Sequence, residues 1–330
     1  MKRVLFFLTS FFIGIALFIW TIKFVGWSEI SAVFHSFSIR EGFIVLGLTF
    51  LIIFLATWRW QEVLKNQGYK IPISKLLKPF LASHLVSYLA PIIPFSADVL
   101  RGYILKEKTN VPLKIAVSSA IIDRILEITS HFIIILFGVL YFLLKIGLPP
   151  QNLAIILGSG FLIGATLLFF SYFKILRKES LVKIFLRGET GNRFFEVERE
   201  IFIFFNLKKF NFWKILIFAF LREAAALYRT YVLVFFLGKS LNFFSSLSVL
   251  SFSTLVQAFP IPADLGVYEV IQIFVFNGLG LGMNTAAAFT IITRGADIIF
   301  ALFGIFVIVN FGVSLIKKIF IDKKENSKIA

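Results

Sequence analysis

Long apolar runs follow one another along almost the whole chain, and they limit what it can fold into. Runs long enough to cross a bilayer cover residues 4–22, 42–58, 115–144, 151–173, 212–238 and 285–314. Hydrophobic residues make up 58% of the 330 residues, whereas soluble globular chains are about 45–50% apolar. The sequence therefore predicts an all-α polytopic membrane protein with about six full transmembrane helices.

The chain has a net charge of +16. Its basic residues between the apolar runs indicate which loops are cytoplasmic, and they can contact anionic lipid headgroups. Lys2 and Arg3 precede the first apolar run, and no Ala-x-Ala cleavage site follows it, which favours an anchored helix over a signal peptide. Lys317 and Lys318 open a polar tail. We expect a multi-pass protein of the inner (plasma) membrane with both termini cytoplasmic.

Composition also narrows the ligands that we expect. No folded basic domain is left to bind nucleic acid, so the basic residues do not predict that function. The chain has no cysteine, which excludes disulfides and thiolate metal sites, and its three histidines are scattered. We find no phosphate-binding glycine-rich loop, no nucleophile elbow and no metal signature. Hence no cofactor, metal or catalytic residue is predicted.

Two further apolar stretches are broken by prolines. The first, at 79–104, is interrupted at Pro91 and Pro94 and has lysines on both flanks, which places both flanks in the cytoplasm. The second, at 243–277, is interrupted at Pro260 and Pro262, and no basic residue lies between 240 and 293, so both of its flanks are expected outside. Each stretch is therefore predicted to be a re-entrant helical hairpin. Broken backbone at membrane depth is tolerated inside protein or beside a water-filled cavity.

The two halves of the chain repeat the same order of features. A charged span is followed by a broken hairpin with an acid after the break, and then by a span that carries an arginine and an acid. Arg59 lies 32 residues before Pro91, and Arg229 lies 31 residues before Pro260. Because the two halves enter from opposite sides, this order predicts an inverted repeat, which is typical of transporters.

We expect one integral membrane domain over residues 1–330. Its parts are an N-terminal helix and outer loop (1–41), a first repeat (42–144), a return span with a basic cytoplasmic linker (145–211), a second repeat (212–316) and a polar cytoplasmic tail (317–330). Within the linker, residues 174–209 mix charges with phenylalanines and are predicted to form amphipathic helices on the inner surface.

Charged residues within the apolar stretches form the candidate site. Each costs about 2.5–3.5 kcal/mol at the bilayer centre, so these side chains must turn away from lipid. The candidates for a lipid-headgroup cavity are Arg59, Asp98, Arg101, Asp123, Arg124, Glu127, Arg222, Arg229, Asp264, Glu269, Arg294 and Asp297. All the deep cations are arginines, which stay charged when desolvated and bind phosphate or carboxylate through two parallel hydrogen bonds.

A structural role for the same charges is the alternative interpretation. Each arginine could pair with a nearby acid and hold the helices together. Asp123 and Arg124 are adjacent on one helix, so their side chains diverge by about 100° and each needs a partner elsewhere. The hairpin that carries Asp98 and Arg101 is nearest in sequence. Our hypothesis pairs Asp98 with Arg124 and Asp123 with Arg101.

Several of these motifs resemble a known family. The segments are Trp58-Arg59-Trp60, Pro94-Phe-Ser-Ala-Asp98-Val-Leu-Arg101, Ser119-Ala-Ile-Ile-Asp123-Arg124 and Phe259-Pro260-Ile-Pro262-Ala-Asp264-Leu-Gly266-Val-Tyr-Glu269, followed by Arg294. In this order and spacing they resemble the lysylphosphatidylglycerol synthase transmembrane-region family. That family includes the flippase portion of the bacterial multiple peptide resistance factor.

The resemblance implies a lipid translocase or lipid-binding transporter. Its ligand is expected to be an anionic or aminoacylated phospholipid or a polyprenyl-linked lipid. Full-length synthases of the family add a soluble aminoacyl-transferase domain, and this sequence has none, so no enzyme is expected. The alternative is a membrane subunit or intramembrane transferase that supports lipid or glycan modification, with a separately encoded lipid synthase or glycosyltransferase as partner.

Overall fold

A computed structural model describes residues 37–89, 95–147, 151–180, 189–205, 210–257, 264 and 266–329. Within these ranges the chain is helical and forms no β-strand. The helices are α1 (Ile39–Asn66), α2 (Ile73–Leu89), α3 (Ser96–Lys108), α4 (Leu113–Ile146), α5 (Gln151–Leu176), α6 (Glu189–Phe204), α7 (Phe210–Phe236), α8 (Phe243–Val256), α9 (Val267–Gly278) and α10 (Met283–Ile329).

The predicted polytopic all-α architecture is confirmed. Within the described part of the chain, four segments are long and apolar enough to cross a membrane: 39–66, 113–146, 158–175 and 283–312. The run at 4–22 lies outside the described residues. The 27-residue helix α7 is about 40 Å long. It carries Lys214, Arg222, Glu223 and Arg229 and is not among the four, so its crossing stays a prediction.

Helix α1 is longer at both ends than the apolar run that predicted it. At its start, Ser38 and Glu41 form a capping box: the Glu41 carboxylate accepts from the Ser38 N–H at 2.6 Å, and the Ser38 hydroxyl accepts from the Glu41 N–H at 3.3 Å. At its other end the helix continues past Trp58, because Val63 and Leu64 are fully buried against neighbouring helices. Capping and packing, rather than hydropathy, set these boundaries.

Part of the predicted basic linker forms helix α6. Val197, Ile201 and Phe204 are buried against α4 and its neighbours. An amphipathic helix in this linker is therefore confirmed. Its position on the inner membrane surface stays a prediction.

Each broken stretch forms two helices, and the prolines of both breaks lie outside the described residues. In the first hairpin, the start of α2 and the end of α3 lie together, since Leu76 and Leu105 pack in one cluster with Ile115 near the start of α4. Both ends of this hairpin are therefore at the N-terminal end of α4.

The second hairpin begins and ends at the other end of α4. At the start of α8, Phe244 stacks on Tyr141 with ring centroids 5.2 Å apart. At the end of α9, Gly278 lies against Phe142 and Ile146. Because α4 rises about 1.5 Å per residue, the contacts at Ile115 and Tyr141 place the openings of the two hairpins roughly 39 Å apart, at opposite ends of this helix. This arrangement has the geometry that an inverted repeat requires.

The first arm of each hairpin packs on the other repeat. Helix α8 packs mainly on α4, and α2 packs mainly on α10, so the first arm of each hairpin contacts the long helix of the other repeat. Gly138 allows the first crossing: a Cβ there would lie 2.6 Å from the Leu247 carbonyl oxygen and closer still to the Ser251 hydroxyl. Gly304 has the same role where α2 crosses α10, because a Cβ at this position would clash with the Leu81 carbonyl oxygen.

Candidate functional site

A small polar cavity lies where the tips of the two hairpins meet. Its volume is about 70 Å³. Ile52 and Ala226, near the middle of α1 and α7, form part of its wall, so the cavity lies at mid-depth in the helix bundle. Its charged lining residues are Arg222, Arg229, Asp264, Arg294 and Asp297. Its polar lining residues are Tyr88, Ser253, Thr254, Gln257, Tyr268 and Thr293.

Five of the twelve predicted site residues therefore line one cavity. The sequence did not identify the tyrosines, although their positions carried a signal: Tyr88 comes just before the first break and Tyr268 just after the second. Thr293 was also missed, and it directly precedes Arg294 on α10. Side chains at the ends of broken helices in a membrane protein are placed to face such a cavity.

Arg229 lines this cavity and uses one of its guanidinium nitrogens in hydrogen bonds. Its Nη1 donates to the Thr49 hydroxyl at 3.0 Å and to Asp297 at 3.3 Å. Among the described residues, its Nε and Nη2 have no hydrogen-bond partner. One side of the guanidinium fork is thus held in place while the rest is available to a ligand in the cavity.

The two other arginines of the cavity are held by neighbouring acids. Arg294 donates to Glu269 at 3.0 Å and to the Asp264 carbonyl oxygen at 2.8 Å, and its guanidinium lies 5.5 Å from the Tyr268 ring centroid. Arg222 pairs with Glu223 at 2.8 Å. Glu269 itself is buried behind Arg294 and does not line the cavity.

A separate buried ion cluster holds α1, α3 and α4 together. Asp123 accepts from Arg59 at 2.6 Å and from Arg101 at 2.9 Å, and all three side chains are at most 3% exposed. Arg101 also donates to Asp98 at 3.3 Å and to the Ala120 carbonyl oxygen at 2.8 Å. These residues are enclosed by protein, which is the structural role that the alternative interpretation gave them. The hypothesised pairing of Asp123 with Arg101 is confirmed.

Arg124 and Glu127 connect the buried cluster with the cavity wall. Arg124 pairs with Asp98 at 3.3 Å, as hypothesised, and with Glu127 at 3.0 Å. It also donates to the Ser87 hydroxyl near the tip of the first hairpin, at 3.0 Å. Glu127 in turn lies 3.7 Å from Arg222. A chain of charges therefore runs from the interior of the first repeat to the cavity.

The charged residues of the two repeats correspond, although not as the sequence suggested. The predicted match sets Asp98 beside Asp264, because each acid follows a proline break. In the structure Glu269 takes the place of Asp98: each is the third residue of its helix, and each pairs with the arginine of the next long helix. The match fails because α9 begins at Val267, so Asp264 precedes this helix.

Six acids and six arginines of the site pair one to one. The pairs are Asp98–Arg101, Asp123–Arg59, Glu127–Arg124, Glu223–Arg222, Glu269–Arg294 and Asp297–Arg229, at 2.6–3.3 Å. Glu223 was not among the predicted site residues. Asp264, by contrast, has no ion-pair partner within the described ranges.

An apolar crevice of about 360 Å³ lies beside the polar cavity, among α4, α7 and α8. Its walls include Ile134, Phe137, Phe220, Leu227, Phe244 and Leu247. Glu223 lies at the crevice, while its ion-pair partner Arg222 faces the polar cavity. Helix α7 therefore carries a polar site on one face and an apolar crevice on the adjacent face.

No group of three or more histidine, cysteine or acidic side chains that could hold a metal ion occurs in the part of the chain that the structure describes.

The fold and the site define a polytopic α-helical membrane protein with a charged cavity enclosed between two broken hairpins. The family model described as "Lysylphosphatidylglycerol synthase TM region" matches residues 7–304, so the chain belongs to this family. A UPF0104 membrane protein of Pyrococcus horikoshii is 23% identical over 276 residues, which cover 76% of this chain and 82% of that protein. The resemblance found in the sequence motifs is confirmed.

Proposed function

We propose that this protein is a flippase-like lipid translocase that moves an anionic phospholipid or polyprenyl-linked lipid between leaflets. The proposal rests on the position of Arg229 and on its hydrogen bonds. This arginine faces a mid-depth cavity with Nε and Nη2 available, in the geometry that binds two oxygens of a phosphate group.

The size of the cavity favours a small charged group as its occupant. About 70 Å³ is roughly the volume that two water molecules occupy in the liquid. The phosphate of a headgroup would enter there, and the hydrocarbon chains would stay outside, where the apolar crevice on the adjacent face of α7 offers a place for them. A larger headgroup requires the hairpin tips to separate.

The position of the cavity favours transport. It lies where two hairpins from opposite ends of the bundle meet, and mid-depth sites at the interface of inverted repeats are the common arrangement in secondary transporters. We propose that the protein acts in the plasma membrane with both termini cytoplasmic and that it catalyses no chemical step. A separately encoded lipid synthase or glycosyltransferase would supply or use the transported lipid.

Mass spectrometry of co-purifying lipids tests this proposal. The wild-type protein should retain an anionic lipid in excess over its share of the bulk membrane. Arg229→Lys keeps the charge but loses the fork, and it should reduce the retained lipid about tenfold, which corresponds to roughly 1.4 kcal/mol. Arg199→Lys, on the surface of α6, is the matched control and should retain the lipid. Equal retention by Arg229→Lys and wild type would refute a phosphate site at Arg229.

A further inference from the structure

The membrane-embedded charges do not balance. Among the residues that the structure describes, six buried or cavity-lining arginines face seven such acids, and the six one-to-one ion pairs described above leave one carboxylate over. That carboxylate belongs to Asp264, which lines the polar cavity. An uncompensated charge away from water is costly, so such a group either takes up a proton or pairs with a cation from outside the protein.

The backbone holds Asp264 in an unusual conformation. Its φ of 52° is in the left-handed region, which is sparsely populated by residues other than glycine. Its carbonyl oxygen accepts a hydrogen bond from Arg294 at 2.8 Å, which fixes the residue at the cavity wall. Non-glycine residues in such conformations concentrate at ligand-binding sites and switch regions.

Unpaired oxygens at the same cavity give independent support for a cation site. Thr293 is only 6% exposed, and its hydroxyl has no hydrogen-bond partner among the described residues. The Tyr88 hydroxyl is likewise buried without a partner there. Both residues line the cavity together with Asp264. A carboxylate and neutral oxygens are ligand types that small hard cations prefer.

We propose that Asp264 is the binding site for one small monovalent cation, either a proton or an alkali ion, within the cavity. Bound there, the cation completes the charge balance of the membrane-embedded residues. It also shares the cavity with Arg229, so a cation and the phosphate of a lipid would occupy one site together. Because their charges are opposite, binding of either would then favour binding of the other, and by the same factor in both directions.

The charged and titratable groups around Asp264 come from several elements. Arg294 and Asp297 lie on α10, Arg222 and Arg229 on α7, Tyr268 and Glu269 on α9, and Tyr88 on α2. All the arginines among them already have an acid partner. Asp264 is therefore the acid of this group whose charge no ion pair with an arginine offsets.

Thermal unfolding of the purified full-length protein in detergent tests the proposal. In alkaline buffer, sodium chloride replaces N-methylglucamine chloride at constant ionic strength, and a separate sodium-free series is acidified. We expect the midpoint temperature of unfolding of the wild-type protein to rise by roughly 2–4 °C in one of the two series. A rise with sodium identifies an alkali-ion site, whereas a rise only on acidification identifies a proton site.

Asp264→Asn separates this site from the structural acids. Removing the unbalanced charge should raise the midpoint in alkaline, sodium-free buffer and abolish the response seen in the wild type. Asp123→Asn is the control, because Asp123 bridges two buried arginines: it should lower the midpoint and keep the response. An unresponsive wild type, or an Asp264→Asn variant that keeps the wild-type response or is destabilised like Asp123→Asn, would overturn the proposal.

This inference deepens the proposed function, since it concerns the ligands of the same cavity. The unfolding test measures cation binding and does not measure lipid movement. The cation site and the lipid translocase can therefore fail separately.

Discussion

Glu269 occupies in the second repeat the position that Asp98 occupies in the first. Each is the third residue of the helix after a break, and each forms an ion pair with an arginine of the long helix that follows, at 3.0 Å to Arg294 and 3.3 Å to Arg124. These ion pairs join α3 to α4 in the first repeat and α9 to α10 in the second. The surroundings differ: the ion pair of Arg101 and Asp123 has no counterpart in the second repeat, where Gln272 and Thr293 stand at the equivalent helical positions.

Asp123 should be essential for stability. Its replacement by asparagine leaves Arg59 and Arg101 buried without a full negative charge, which should cost about 3–5 kcal/mol. Denaturation of the purified variant, followed by tryptophan fluorescence, measures the change. Glu196→Gln is the control, because its pair with Lys114 at 3.8 Å is exposed and should contribute at most about 1 kcal/mol. Equal stability of the two variants would contradict a structural role for the buried cluster.

Two lysine substitutions should separate structure from function. Arg101→Lys loses the fork that reaches Asp123, Asp98 and the Ala120 carbonyl oxygen, so it should lower the unfolding temperature. Arg229→Lys removes a fork that faces the cavity, so it should reduce lipid retention with little change in the unfolding temperature. The two quantities are measured on the same preparations. If Arg101→Lys and Arg229→Lys each lowered both the unfolding temperature and lipid retention, the buried cluster and the cavity would not have separate roles.

The crossing of α4 and α8 should not tolerate a side chain at Gly138. A Cβ there meets the Leu247 carbonyl oxygen at 2.6 Å, and separating the helices should cost about 1–3 kcal/mol. Gly158→Ala on α5 is the control, since nothing lies within 4 Å of its added Cβ. We expect that change to be neutral or slightly stabilising, because alanine favours helix. The test compares the unfolding temperatures of the two variants with that of wild type. A Gly138→Ala protein as stable as wild type would contradict the close crossing of α4 and α8.

Reporter fusions should show that the hairpins open on opposite sides of the membrane. Fusions at Lys70 and Thr109, on either side of the first hairpin, should both be cytoplasmic. A fusion at Leu281, after the second hairpin, should be external. Protease protection or a compartment-specific reporter enzyme gives the result. Opposite locations for the first two fusions would make the first hairpin an ordinary span.

Hydropathy and proline positions were sufficient to predict four spanning helices and the division of each broken stretch into two helices. They could not give the register between the repeats, because the start of α9 depends on local capping: Gly266 adopts a φ of 76°, and Glu269 accepts a hydrogen bond from its N–H at 2.8 Å. Sequence also could not separate Arg101 from Arg229. Both are arginines within broken or charged spans, and only packing shows that the first is enclosed and the second faces a cavity.

Passage of a lipid headgroup through the cavity is tested most directly with purified protein in vesicles that contain phosphatidylglycerol labelled with a fluorophore on its acyl chain. Dithionite added outside bleaches label in the outer leaflet only. We predict that wild-type protein makes the inner-leaflet label accessible, so that bleaching proceeds beyond the level of protein-free vesicles, and that Arg229→Lys slows this phase about tenfold. Bleaching by wild type that stops at the level of protein-free vesicles, or that is equally fast with Arg229→Lys, would contradict transport of the headgroup through this cavity.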